Sequence, residues 1–154
     1  MSSRLLISLA LLVPVAAYAE PKLDAPPGCT EVGTIPPSAK IAAPGTAARI
    51  ALAMCVAERK FTALHLTPDD AGIAAITDAA KQSFDLIDAA IAQDDPFWAP
   101  YAQKARVALH VAMAVRMRNS VPPITATTTT AELTQHDQAH AALEPKIKPW
   151  LDGR

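Results

Sequence analysis

The stretch "IAAITDAAKQSFDLIDAAI", residues 73–91, decides the fold. Ile73, Ile76, Ala80, Phe84, Ile87 and Ile91 recur at intervals of 3, 4, 4, 3 and 4, the spacing of a narrow bundle-type helical seam. Thr67 reads as the N-cap of this helix, with Pro68 at its first position. Asp69 and Asp70 follow on the positive end of the dipole. At the other end "QDDP" closes the helix and opens the next, with Asp95 as cap and Pro96 at the first position.

Working outward, three more helices are expected. Upstream, Thr46 to His65 contains no breaker, and Ala47, Ile50, Met54, Phe61 and Leu64 repeat at helical intervals. Downstream, residues 96–118 are apolar from Val107 to Val115 apart from His110, which predicts the most buried helix. A polar loop, "NSVPPITATTTT", follows. Thr130 is expected to cap a last helix from Ala131 that Pro145 weakens or ends, with "KIKPWL" returning as a short docked turn. Short connections between the first three helices imply antiparallel neighbours. The fold class is therefore all-α, a small antiparallel bundle of about four helices. The junction "AIAQDDPFWAPYAQKA" has the look of a tetratricopeptide array, but Asp88 stands where a large aromatic belongs. No second copy recurs at the period of about 34 residues.

The N-terminus reads as three parts with this bundle. Residues 1–19 have a basic start at Arg4, an apolar run from Leu5 to Val13 and small residues at Ala17 and Ala19. This is the pattern of a secretory signal peptide cleaved before Glu20. Residues 20–45 contain Pro21, Pro26, Pro27, Pro36, Pro37 and Pro44, which exclude a long helix and imply an extended lead-in. Residues 46–154 form the helical domain. In an oxidising compartment, secreted or periplasmic, Cys29 and Cys55 are expected to form one disulfide pinning the lead-in to the first helix.

Charge narrows the partners. Loss of Arg4 leaves 13 basic against 15 acidic residues, a balance that argues against nucleic acid. No apolar run follows the leader that would insert the mature chain in a membrane. The partner is therefore expected to be a protein or a small ligand. Residues 69–95 carry seven aspartates and only Lys81, while the following helix carries Lys104, Arg106, Arg116 and Arg118. A hairpin would set Asp88 near Lys104, Asp85 near Arg106, and Asp69 and Asp70 near Arg116 and Arg118. If left uncompensated, Arg116 and Arg118 would form an anion-binding edge.

The one run that resembles site chemistry is "TQHDQAH", residues 134–140. His136 and His140 project from one helical face, in the same angular sector as Leu133, Leu143 and Ile147. Two such imidazoles can chelate Zn or Cu if a third ligand arrives. His110 is the candidate third ligand, with Glu132 and Asp137 as supporting carboxylates. The alternative for each histidine is a hydrogen-bonded packing residue. There is no phosphate loop, nucleophile elbow or haem-attachment motif. Capping accounts for the aspartate pairs 69/70 and 94/95, so the chain reads as a binding or accessory module rather than an enzyme.

Overall fold

The computed structural model describes Cys29 and residues 44–152. The expected signal peptide, residues 1–19, and all of the proline-rich lead-in except Cys29 and its last two residues lie outside that range. Four helices follow one another: α1 (Pro44–Ala63), α2 (Asp70–Ala92), α3 (Ala99–Arg118) and α4 (Thr130–Leu151), with no strand among the described residues. They pack as an antiparallel all-α bundle. α3 is central, touching α1, α2 and α4, and α1 against α2 is the most extensive contact.

The seam quoted above is the spine of the core. Ile76, Ala80 and Ile87 are fully buried, and Ile73, Phe84 and Ile91 pack at its margin. Ala79, Leu86 and Ala90 are buried as well. The stripe is broader than a single seam because α2 lies between two neighbours, α1 and α3. Cys29 and Cys55 are bonded, with Cα atoms 5.7 Å apart, so the lead-in is tied to the middle of α1. Closing a loop of this size stabilises the folded chain by about 3 kcal/mol.

Helix ends differ from the sequence reading in instructive ways. α2 begins at Asp70, and its N-cap is Asp69, which accepts from the Gly72 N–H at 3.0 Å. Thr67 supports that cap instead, donating its hydroxyl to Asp69 Oδ1 at 2.6 Å. The turn is so tight that a Cβ on Gly72 would lie 1.9 Å from the Thr67 carbonyl oxygen. At the next turn Asp95 accepts from Phe97 and Trp98 N–H groups, capping a helical turn that leads into α3. α4 is capped by Thr129, not Thr130, through a reciprocal box with Glu132.

Two expectations are overturned outright. α4 does not stop at Pro145; it runs through Pro145 and Pro149 to Leu151. Both prolines and Ala141 are exposed, so the carbonyl freed opposite each missing N–H faces water. Leu143 and Ile147, fully buried between them, hold the helix against α3 by about 1.5–3 kcal/mol each. Nor is α3 buried on all sides: Val107, Val111 and Val115 face solvent. With three neighbours on one side, the rest of its circumference is left open.

The ion pairs are also redistributed. Arg106 pairs with Asp88 at 2.7 Å, one helical step from the expected register. Asp70 pairs with Lys146 of α4 at 2.7 Å. No helix of the described residues is long and apolar enough to cross a membrane.

Candidate functional site: a groove under the projecting half of α4

Arg118 of α3 and Glu144 of α4 meet at one level of the bundle. Below that level α4 runs antiparallel to α3. Above it, α3 has ended, and the thirteen residues from Thr130 to Ala142 project about 20 Å along the axis. The connection 119–129 climbs beside this projection and supports it. Val121 is buried and anchors the climb. Pro122 and Pro123 then fix the backbone direction. The Thr125–Thr128 turn is closed by Thr128 N–H to the Thr125 carbonyl at 3.1 Å and by Thr125 N–H to Thr128 Oγ1 at 2.8 Å.

Between connection and helix lies an open groove of about 500 Å³. Its wall on the loop side is Val121, Pro122, Pro123 and Ile124 with the threonines. On the helix side Glu132, Gln135, His136 and Ala139 share one face. Glu132 is committed locally. Its Oε2 accepts from the Thr129 N–H and hydroxyl, each at 2.7 Å, and these bonds hold its carboxyl below the usual range. The side chains still able to address a guest are the Gln135 amide and the His136 imidazole.

The histidine side chain is only 19% exposed, and its Nδ1 lies 3.3 Å from Asp137 Oδ1. The His140 ring packs against it at 4.6 Å between centroids. The two rings thus pack together on one side of α4, but only His136 lines the groove. His110 is not part of it. That ring packs on Phe84 of α2 at 4.7 Å, and burial, with Arg106 nearby, pushes its pKa down. Eight residues separate His110 from the level of Arg118, and eight separate His136 from Glu144 on the other side. The axial gap is therefore roughly 24 Å. The three histidines would share a level only if α4 began beside the end of α3, and the 119–129 connection prevents that. No group of three or more His, Cys, Asp or Glu side chains that could hold a metal ion occurs among the described residues.

Arg116 and Arg118 are both engaged within the fold. Arg118 is bidentate on Glu144, which raises its own pKa and lowers that of the carboxylate. Arg116 Nη2 donates to the Phe61 carbonyl of α1. Sequence reasoning passed over the groove wall because residues 119–130 look polar on average. The signal was the apolar tetrad Val121-Pro122-Pro123-Ile124 inside that polar run.

Comparison with known proteins gives no match: no family model, no curated protein and no solved structure.

Proposed function

We propose that the protein is an exported binding module whose ligand lies in the groove between residues 121–128 and α4. The observation that carries this reading is the groove itself. It holds about 500 Å³, and its apolar wall faces the Gln135 amide and the His136 ring, whose Nε2 edge is left for a guest while Nδ1 lies beside Asp137. Such a lining suits a neutral guest with an apolar body and one hydrogen-bonding edge, either a small molecule or an extended peptide segment. Export is supported by the Cys29–Cys55 bond, a linkage that persists in oxidising compartments. The groove reading is tested by NMR titration of isotope-labelled protein with a fragment library. Saturable shifts concentrated on Ile124, Thr125, Gln135 and His136, and abolished by His136→Ala, are expected. Saturable shifts that cluster elsewhere on the bundle would rule it out.

A second reading, metal binding by His136 and His140, is favoured by one contact. Asp137 beside His136 Nδ1 orients the ring as carboxylates orient metal-ligating imidazoles. Zn or Cu would then take two protein ligands at most from this pair, with solvent or a guest completing the shell. Elemental analysis of untagged protein against a His136→Ala/His140→Ala variant decides it. Equal, negligible metal in both rejects the reading.

A further inference from the structure

The open face of α3 is not random. Phe97, Tyr101, Lys104, Ala108, Val111 and Val115 follow one another at intervals of 4, 3, 4, 3 and 4, and all six are exposed. Phe97 is 58% and Tyr101 49% exposed, and Val111 and Val115 are 41% and 45% exposed. Phe97 sits in the helical turn leading into α3, and its ring lies 5.7 Å from that of Tyr101. This is a second heptad seam, outside the molecule, and its period fits another α-helix.

We propose that this seam pairs with the same seam of a second copy of the chain, antiparallel, about a twofold axis that crosses the seam between Lys104 and Ala108. Three features of the seam select that occupant. First, it is graded in size, with Phe97, Tyr101 and Lys104 in the first half and Ala108, Val111 and Val115 in the second. Antiparallel self-pairing sets Phe97 opposite Val115 of the copy, Tyr101 opposite Val111 and Lys104 opposite Ala108. Every layer then joins a large side chain to a small one. Parallel pairing would set ring on ring at one end and methyl on methyl at the other. Second, the ends are complementary in charge. Asp94 and Asp95 precede the seam, and Arg116 and Arg118 close it. Reversal brings the exposed Asp94 to the level of Arg118 in the copy, extending the Arg118–Glu144 pair into a network. Third, the sole charge inside the seam, Lys104, already lies 5.8 Å from the Tyr101 ring centroid. Its stem can cover Ala108 of the copy while the ammonium reaches water.

The experiment uses the disulfide-bonded chain without a tag. Sedimentation velocity should show a dimer that Val111→Asp and, separately, Tyr101→Asp convert to monomer with unchanged helical circular dichroism. Both sites are exposed, so the two variants test pairing rather than folding. Register is read by oxidative cross-linking. A mixture of Lys104→Cys and Ala108→Cys proteins should give a cross-linked dimer, and either protein alone should give far less. A wild-type chain that remains monomeric at about 100 µM overturns the proposal. So does a dimer indifferent to both aspartate substitutions, or preferential linking of Lys104→Cys to itself, the signature of parallel packing.

Discussion

Arg118 grips Glu144 through two parallel hydrogen bonds, Nε to Oε1 at 2.7 Å and Nη2 to Oε2 at 2.8 Å. This fork joins the end of α3 to α4 at the level where α4 leaves the bundle, so it sets the register of the projecting half.

The fork predicts a local effect of Glu144→Gln. Hydrogen exchange should accelerate in residues 130–144 and in the 119–129 connection, with little change in α1 and α2. The pH dependence has a fixed sign. Arg118 holds the Glu144 carboxyl below its ordinary range. Its contribution is therefore present above the ordinary glutamate pKa and lost as pH falls through the depressed folded value. Protection factors in α4 of the native protein, taken against the intrinsic exchange rate at each pH, should fall over that acid window and be flatter in the variant.

The two halves of α4 should respond differently to truncation. Leu143→Ala and Ile147→Ala each remove a fully buried side chain and should cost about 2–5 kcal/mol by denaturant unfolding. Leu133→Ala, on the projecting half and exposed, should fall within about 0.5 kcal/mol of the native protein. Equal costs at Leu133 and Leu143 would mean that the helix is embedded along its whole length.

Ser83 sits in the α2 core with its hydroxyl buried and unpartnered among the described residues. Ser83→Ala removes an unsatisfied polar group and should raise stability by about 1 kcal/mol. A loss of similar size in chemical denaturation would show that the hydroxyl has a partner after all.

His110 gives a second pH signature. Burial against Phe84 lowers its pKa below the ordinary histidine value, so the unfolded chain takes up the proton first. Its contribution is complete above that ordinary value and is lost as pH falls through the folded one. Arg106, which also lowers it, and Asp88, which opposes the shift, are the charged groups acting on the ring. Unfolding free energy measured between about pH 7 and pH 5 should fall less steeply in His110→Gln than in the native protein.

Most of the bundle was legible in residues 73–91 because a buried helix writes its contacts as a 3–4 rhythm. The disulfide was legible because an oxidised chain with two cysteines has one way to pair them. The ends were harder for physical reasons. Four consecutive threonines, Thr127 to Thr130, each offer a hydroxyl cap, and only the spacing to Glu132 singles out Thr129. Pro145 reads as a stop until Leu143 and Ile147 are seen buried on the opposite face. The valines of α3 read as core because hydropathy records that a face is apolar without recording which partner covers it. His136 and His140 share one face because side chains four apart on a helix project together. His110 would join them only if α4 began beside the end of α3, and the climbing connection starts α4 several turns higher.

The projection of α4 beyond α3 is the claim on which the groove depends, and one distance tests it. Spin labels at Gln103→Cys and Gln138→Cys occupy exposed sites away from the groove lining and the outer seam. Fifteen residues run from Arg118 to Gln103 and six from Glu144 to Gln138. The axial separation is therefore roughly 31 Å. Electron–electron dipolar spectroscopy, with labelled protein diluted in unlabelled protein, should return a single distribution near or above that value. A distance of roughly 15 Å, as expected from an axial offset of about 10 Å between helices packed about 10 Å apart if α4 began flush with the end of α3, would contradict the account and dissolve the groove with it.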